Sequence, residues 1–355
     1  MALVINATAV SAHLSGIGRY ALEVSRGILA ADPSATAWVC QGGGDAFQDV
    51  ANQVRFAPAA CAPFLGARAH LRRLAWTQGL ASRSTLRRNE VLFACSPLEL
   101  AIRHPHQVVT IHDLTPLLFP RHHALQAHIF RHALPNLVRH CRSVIVPSLH
   151  TRDHLAEAWN LPSDRIQVIP HGISDLFLTP PVTPPARPHD RPYLLWVGRA
   201  HPTKNLPMVL ATHARLLQMG HDLDLLMTGR CPPWVTPPCE SQARVHFLGG
   251  VSDLRLRDLY HHARLLLLPS WNEGFGLPAI EALACGCPVL GTNQGALPEM
   301  GEPDLITTNP HELDAQAELA DQILRQDRRA QLHHPREWYR WKRSVAQHLH
   351  NLRLS

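Results

Sequence analysis

The segment around Glu273 and Glu281 combines residue types that could bind an anionic ligand rich in hydroxyl groups. A three-residue turn leads from Glu273 to a helical pattern that begins at Leu277; the turn consists of Gly274, Phe275 and Gly276. Glycine lets the backbone approach a ligand closely, and the N–H groups at a helix start favour an anion. Carboxylates accept hydrogen bonds from sugar hydroxyls. Taken alone, each glutamate is more often a solvated loop residue or an ordinary helical one.

Arg199 and Lys204 form a second candidate site between a predicted strand that ends at Val197 and a helix that starts near Asn205. Open α/β sheets bind ligands at the carboxyl ends of their strands. The planar arginine fork and the point charge of lysine could together hold a diphosphate. On local grounds, a pair of solvated surface cations is an equal alternative.

Two further candidates lie in the N-terminal half. His112 directly follows the apolar run 108–111, at a position prone to hold an active site, although it is one of 25 histidines. Asp113 beside it could cap the next turn. Gly18 belongs to a Gly-x-Gly sequence before a helical run, which lacks the third glycine of a dinucleotide fingerprint and is also typical of a tight turn.

Short apolar runs alternate with longer helical patterns along the chain. Continuous apolar runs are typical of strands buried on both faces of a parallel sheet, and the alternation predicts doubly wound α/β sheets. The predicted strands are residues 108–111, 143–146, 193–197, 223–227 and 265–268.

Six prolines within residues 178–192 predict a linker, because proline-rich segments are semi-rigid and do not enter a sheet interior. An N-terminal Rossmann-like domain is therefore expected over 1–177 and a C-terminal one over 193–335. The last segment, 336–355, is predicted to be a helix that packs back toward the N-terminal domain.

The composition is that of a globular chain, with 45% hydrophobic and 17% charged residues. The formal net charge of +6 favours anionic partners, but no basic block or repeated aromatic pattern indicates a nucleic-acid-binding module. None of the eight cysteines forms a Cys-x-x-Cys pair, so buried thiols in a reducing compartment are expected. No run reaches the roughly 18 apolar residues that span a bilayer.

The string from Ser270 to Gly286 closely resembles the E-x7-E signature of retaining GT-B glycosyltransferases, the large family 4 that includes many mannosyltransferases. Glu273 and Glu281 stand at the two signature positions. The segment 198–205 resembles the family's diphosphate-binding motif, and the resemblance extends from about Gly16 to Trp341. It is weakest over residues 40–90, where acceptor specificity would be expected.

The resemblance implies a GT-B fold, in which two Rossmann-like domains with parallel sheets face an interdomain cleft. It also implies retaining transfer of a hexose from a nucleoside-diphosphate sugar, with catalytic roles for His112 and Glu273. The expected donor-binding residues are Gly18, Arg199, Lys204, Gly274, Phe275, Gly276, Leu277 and Glu281. No cofactor or metal ligand is expected, because the nucleotide sugar is a substrate.

GDP-mannose is the first expected donor, because the strings 16–20 and 112–114 look most like those of mannosyltransferases; dTDP-rhamnose and UDP-sugars stay open. The expected acceptor is a glycan or a lipid-linked glycan. The basic amphipathic segment 71–88 predicts either contact with an anionic membrane or a solvated helix face packed on its own domain. The expected location is cytoplasmic, with peripheral contact to the inner face of the membrane as an open alternative.

Three other functions compete with this interpretation. A GT-B nucleotide-sugar epimerase would share the fold and the cations, but it would not be expected to carry the full Glu273–Glu281 string. A nicotinamide-dependent dehydrogenase would require the fingerprint that the chain lacks. A third alternative is a catalytically silent sugar-nucleotide-binding protein, which only an activity assay can exclude.

Overall fold

The chain forms two compact units. Unit 1 consists of Met1–Gly172 and Trp341–Ser355, and unit 2 of Ile173–Arg340. The computed structural model describes residues 2–10, 14–61, 67–82, 90–102, 104, 106–181, 183, 185–238 and 241–354.

This division differs in detail from the boundaries predicted from the sequence. Unit 2 begins at Ile173, a few residues before the predicted end of the N-terminal domain at 177. The proline-rich segment 178–192 lies within unit 2, and the terminal helix that begins at Trp341 lies within unit 1.

Unit 1 is built on a seven-stranded parallel sheet with helices on both faces. Its strand order is β3-β2-β1-β4-β5-β6-β7. The strands are β1 (Ala2–Asn6), β2 (Thr36–Cys40), β3 (Val54–Ala57), β4 (Glu90–Ala94), β5 (Gln107–Thr110), β6 (Ser143–Val146) and β7 (Ile166–Val168). The helices are α1 (Gly16–Ala31), α2 (Ala67–Ser82), α3 (Thr115–Leu118), α4 (Ala124–His132), α5 (Leu134–Arg139), α6 (Leu149–Trp159) and, from the chain end, α12 (Trp341–Leu354).

Unit 2 repeats this architecture with six parallel strands in the order β10-β9-β8-β11-β12-β13. The strands are β8 (Tyr193–Trp196), β9 (Asp224–Met227), β10 (Val245–Phe247), β11 (Leu265–Leu268), β12 (Val289–Thr292) and β13 (Leu305–Thr308). The helices are α7 (Asp175–Leu178), α8 (Leu206–Gln218), α9 (Asp253–His262), α10 (Leu277–Ala284) and α11 (Leu313–Gln326).

The central strands are mostly apolar because both faces of each sheet are covered. In β5, Val108 packs into the core beneath α1, while Val109 packs into the core on the opposite face. In β11, Leu266 and Leu267 likewise enter opposite cores. Successive strand residues point to opposite faces, so a doubly covered strand is a continuous apolar run. The predicted strands are therefore confirmed, with ends shifted by at most one residue.

The strand order brings two distant loops together in unit 2. The chain runs outward from β8 to β9 and β10, then returns to place β11 on the other side of β8. The order thus reverses between β8 and β11, and ligands bind at the carboxyl ends of strands at such a switch point. The segment after β8 carries Arg199 and Lys204, and the segment after β11 carries Glu273.

Helix α12 packs on α1 within unit 1. A Cβ atom at Gly27 of α1 would lie 2.5 Å from a methyl group of Val345 of α12, so glycine permits the close approach of the two helices. Trp341, Val345 and Leu352 of α12 all belong to the core cluster beneath α1.

The basic segment predicted over 71–88 is only partly an outward face. Helix α2 carries Arg73, whose side chain is 4% exposed and lies 3.9 Å from the buried Glu99 carboxylate. The Trp76 ring packs against Trp38 at 5.3 Å. These contacts favour a helix packed on its own domain, although residues 83–89 lie outside the described part of the chain.

Two further expectations concern membranes and cysteines. Within the described ranges, no helix has the length and apolar character needed to cross a bilayer. The seven described cysteines are free thiols, and all except Cys231 are buried.

Candidate functional site

Glu273 is held in place by two side chains. One carboxylate oxygen, Oε1, accepts a hydrogen bond from the Ser270 hydroxyl at 2.6 Å and lies 2.7 Å from the Lys204 Nζ atom. The Glu273 side chain is 11% exposed, whereas that of Lys204 is 30% exposed. The second carboxylate oxygen, Oε2, retains its own acceptor capacity, so it can accept a hydrogen bond from a ligand hydroxyl.

The backbone around Glu273 is fixed by two neighbouring loops. The Trp271 N–H donates to the Thr203 carbonyl at 2.9 Å, which joins the loop after β11 to the segment that carries Lys204. On the other side, the Ala296 N–H donates to the Glu273 carbonyl at 2.8 Å. Gly295 has a φ of +103°, and a Cβ atom there would lie 2.4 Å from the Glu273 carbonyl oxygen. Only glycine fits this approach.

Gly276 ends the turn and begins α10. It has a φ of +95°, and a Cβ atom there would lie 2.3 Å from a methyl group of Leu297. Pro278 occupies the second helical position, where its missing N–H costs no hydrogen bond. Glycine has no side chain that could cap the helix. Pro278 has no N–H, and the Ala279 N–H donates to the Gly276 carbonyl at 2.9 Å, so among the described residues of this turn the Leu277 N–H is the donor left for another acceptor.

The two cations after β8 differ in their surroundings. Lys204 is paired with Glu273, while Arg199 is exposed and forms no hydrogen bond or ion pair with any residue that the structure describes. Asn205 stabilises this segment, because it has a φ of +50° and its side-chain amide donates to the Pro310 carbonyl at 3.0 Å. Asparagine tolerates the left-handed region better than most residues.

Glu281 lies on the second turn of α10 and is 7% exposed. Its Oε2 atom accepts a hydrogen bond from the Tyr260 hydroxyl at 3.1 Å. Burial, followed by the nearby Glu281 charge, raises the pKa of Tyr260, which therefore stays a hydrogen-bond donor at neutral pH. This contact fixes the carboxylate and leaves little of it exposed to a ligand.

His112 lies at the carboxyl end of β5 in unit 1 and is 8% exposed. Its Nε2 atom donates to the Cys95 carbonyl at 2.9 Å, and its Nδ1 atom lies 3.3 Å from Nε2 of His171. The Tyr20 ring packs edge-on against it at 4.7 Å. Burial is the largest cause that lowers the pKa of His112, so the ring is neutral near pH 7. Both ring nitrogens are engaged within unit 1, and a direct hydrogen bond to a sugar requires one of these contacts to be given up.

Gly18 lies in the first turn of α1. Its N–H donates to the hydroxyl of Ser15, the helix N-cap, at 3.1 Å. A Cβ atom at Gly18 would lie 3.2 Å from the Ala9 carbonyl oxygen, so a larger residue would press on that loop. Residues 11–13 of the same loop lie outside the described part of the chain.

The structure thus brings Lys204 and Glu273 together in unit 2 and places His112 and Gly18 in unit 1. Sequence reasoning missed the residues that support Glu273, namely Ser270 and Gly295. The available signals were a serine three positions before the glutamate and a glycine in the loop after β12, but neither indicates a contact with Glu273 by itself.

The fold and the site define a class of protein: two doubly wound parallel α/β units, the second with a cation–carboxylate site at the switch point of its sheet. Residues 14–175 match the family model described as Glycosyltransferase Family 4, and residues 191–326 match that described as Glycosyl transferases group 1. The chain belongs to the glycosyltransferase family that these two models describe, as its sequence motifs predicted.

Curated relatives include two mannosyltransferases. The chain is 28% identical over 212 residues to "O-antigen chain mannosyltransferase RfbU" of Salmonella typhimurium, with 58% of this chain and 57% of the relative covered. It is 26% identical over 230 residues to "O-antigen chain mannosyltransferase B" of Escherichia coli, with 59% and 60% covered. The chain therefore spans less than two thirds of the length of these relatives.

Solved structures share the fold over nearly the whole chain. Sucrose-phosphate synthase from Thermosynechococcus elongatus has a TM-score of 0.70 at 18% identity, with 99% of this chain and 94% of that chain covered. WaaG, a glycosyltransferase involved in lipopolysaccharide biosynthesis, has a TM-score of 0.66 at 14% identity, with 98% and 94% covered. These similarities confirm the predicted GT-B fold class.

Proposed function

We propose that this protein is a retaining glycosyltransferase that moves a hexose from a nucleoside-diphosphate sugar to a hydroxyl group of a glycan or lipid-linked acceptor. The observation that carries the proposal is the contact between Lys204 and Glu273 beside the uncapped start of α10. A cation, a carboxylate and the Leu277 N–H at the start of α10 lie there together at the carboxyl ends of the strands, where parallel sheets bind ligands.

The diphosphate of the donor would be held by Arg199, Lys204 and the start of α10. Lysine has three donor protons, so Lys204 can keep its contact with Glu273 and still reach a phosphate oxygen. The exposed Arg199 fork supplies a bidentate contact. Negative charge grows on the departing diphosphate, and losing one such electrostatic contact typically lowers the rate by about 10²–10³-fold.

Glu273 would hold the sugar rather than attack it. Its Oε1 atom already accepts a hydrogen bond from Ser270 and lies against Lys204. Both contacts stabilise the negative charge of the carboxylate and make it a weaker nucleophile. The Oε2 atom and the 274–276 backbone would bind hydroxyls of the hexose, and Glu281 would accept from the ribose. His112 would orient the sugar or face its developing positive charge. A same-face transfer assisted by the leaving phosphate then needs no covalent intermediate and no metal.

Mannose is the first candidate for the transferred sugar, with GDP-mannose as the donor. The support comes from the relatives, of which several are named mannosyltransferases. The first two carry the words O-antigen chain in their names, which makes a lipid-linked glycan the first acceptor to test.

The test combines nucleotide binding and turnover. Thermal shifts with GDP, UDP, dTDP and NAD should single out one nucleoside diphosphate, since a ligand at one hundred times its Kd adds about 2.7 kcal/mol to the free energy of unfolding. Its diphosphate-sugar, incubated with a lipid-linked glycan, should then give a product whose anomeric configuration by NMR is that of the donor. EDTA should leave the rate unchanged.

Matched variants sharpen the experiment. Arg199→Ala and Lys204→Ala should each lose the thermal shift, whereas Arg215→Ala at the far end of α8 should keep it. A shift by NAD alone would refute the assignment. Conversion of the donor sugar without any acceptor would indicate an epimerase, and binding without any turnover would indicate a silent protein.

A further inference from the structure

Two histidines and an aspartate converge at one point of unit 2, outside the donor site. The Nε2 atoms of His189 and His246 lie 2.6 Å and 3.1 Å from the same carboxylate oxygen, Oδ2 of Asp224. The three ligand atoms all lie within 4.8 Å of one another. Among the residues that the structure describes, this is the one cluster of three such side chains that could share a cation.

The cluster lies at the amino ends of the strands, whereas the sugar-donor site lies at their carboxyl ends. Asp224 is the first residue of β9, whereas Glu273 follows the last residue of β11. Since all strands of this sheet are parallel, these positions lie at opposite ends of the strands, about 13 Å apart along the strand direction at roughly 3.3 Å per residue. His246 comes from the edge strand β10, and His189 comes from the proline-rich segment that precedes β8.

The chemical types and the exposure of these three side chains suit a transition-metal ion. Imidazole and carboxylate are ligands of Zn²⁺, with bonds of about 2.0–2.1 Å. Around a tetrahedral ion the ligand atoms are about 3.3 Å apart, so each of the two contacts between a histidine Nε2 atom and Oδ2 of Asp224 must lengthen by less than about 1 Å. The side chain of Asp224 is only 3% exposed, while those of His189 and His246 are 25% and 39% exposed. The two imidazoles can therefore move, and solvent can reach a fourth coordination position.

The surrounding charges are balanced. The guanidinium groups of Arg191 and Arg244 contact the other oxygen of Asp224, Oδ1, at 3.3 Å and 3.4 Å. Both arginines also contact Asp222, so two positive charges face two carboxylates. The arginines contact the Oδ1 atom of Asp224 and the histidines contact its Oδ2 atom. A cation can therefore bind at Oδ2, between the two histidines. Hydrogen bonds to the distal oxygen of a ligating carboxylate commonly orient it.

We propose that His189, Asp224 and His246 form a binding site for Zn²⁺ or a similar transition-metal ion, which fastens the proline-rich segment to strands β9 and β10. The two imidazoles bind through Nε2, which requires the neutral tautomer with its proton on Nδ1. The ion joins segments that are 35 and 22 residues apart in sequence. It is a structural ion, and the transfer reaction proceeds without it.

The experiment uses the untagged full chain after EDTA treatment and dialysis. Co²⁺ is titrated in and the visible absorption is recorded, because tetrahedral Co²⁺ absorbs far more strongly than the hydrated ion; Zn²⁺ is then added as a competitor. We expect one tight Co²⁺ site per chain, displaced by Zn²⁺, and a higher melting temperature with Zn²⁺. Loss of an outer-shell partner typically weakens metal binding 10–100-fold, so the His189→Gln/His246→Gln double variant should weaken it at least that much.

The control variant is His128→Gln/His132→Gln. These exposed histidines lie one turn apart on α4, with ring centroids 4.7 Å apart, and could bind a metal by themselves. The control should keep both the absorption and the Zn²⁺-dependent melting shift. His246→Gln alone, at the more exposed ligand, serves if the double variant fails to fold.

Three results would overturn the proposal. Equal Co²⁺ affinity in the wild type and the His189/His246 variant would mean that the three side chains only hydrogen-bond. Loss of the tight site in the α4 control would place the metal elsewhere. Metal binding without any change in melting temperature would refute the fastening role.

Discussion

Replacement of His348 by glutamine should make the protein less sensitive to acid. His348 is fully buried in unit 1. Its Nδ1 atom donates to the Ser344 carbonyl at 2.7 Å, so its Nε2 atom must accept from the Tyr20 hydroxyl, also at 2.7 Å. Burial is the largest cause that lowers the pKa of His348 from 6.5 to about 4. A glutamine can still accept from the Tyr20 hydroxyl but cannot take up a proton.

The sign and the size follow from proton linkage. Above pH 6.5 the histidine is neutral in both the folded and the unfolded chain, so it contributes no pH dependence. Below pH 6.5 the unfolded chain binds the proton first, and the free energy of unfolding falls until the folded pKa of about 4 is reached. The full loss is about 3 kcal/mol, of which about 2 kcal/mol is lost by pH 5.0.

The assay is urea unfolding of the wild type and His348→Gln at pH 7.5 and pH 5.0. The wild type should lose about 2 kcal/mol more than the variant between these two pH values. The two units need not unfold together, so hydrogen exchange of the α12 amides should assign the transition to unit 1. His350→Gln changes an exposed histidine on the same helix and should keep the wild-type pH dependence. Parallel pH profiles for wild type and His348→Gln would refute the reasoning.

Three further substitutions test the packing and the site. Gly295→Ala places a Cβ atom 2.4 Å from the Glu273 carbonyl oxygen at a φ of +103°; we expect a loss of about 1–3 kcal/mol in thermal unfolding and loss of transfer activity, and an active, stable variant would contradict this. Gly27→Ala drives a Cβ atom against Val345 at 2.5 Å and should cost about 1–3 kcal/mol. Adding Val345→Ala should recover part of that cost in a double-mutant cycle, and strict additivity would argue against the close approach. Ser270→Ala removes the 2.6 Å hydrogen bond to Glu273, and since a bond to a charged group contributes about 1.5–3 kcal/mol, we expect the melting temperature to fall by several degrees and kcat to fall about tenfold; an unchanged kcat in the folded variant would exclude a positioning role.

Much of the fold could be predicted from the sequence because its signals are local. The four leucines of β11 form a short apolar run that is typical of a doubly covered strand, and the turn with Gly276 and Pro278 marks the start of α10. The candidate residues after β8 and after β11 were recognised as two separate motifs. Their types and their positions at strand ends were sufficient for this, since open parallel sheets bind ligands there.

Their contact was decided by the tertiary structure. Lys204 and Glu273 are 69 residues apart, and they meet because the strand order reverses between β8 and β11. Tyr20 and His348 are 328 residues apart, and their hydrogen bond forms because α12 packs on α1. The cluster around Asp224 likewise draws on three segments with no shared motif. Local patterns fix strands, turns and helix starts, because those depend on neighbouring residues. Partners across the fold depend on strand order and helix packing, which a sequence pattern does not contain.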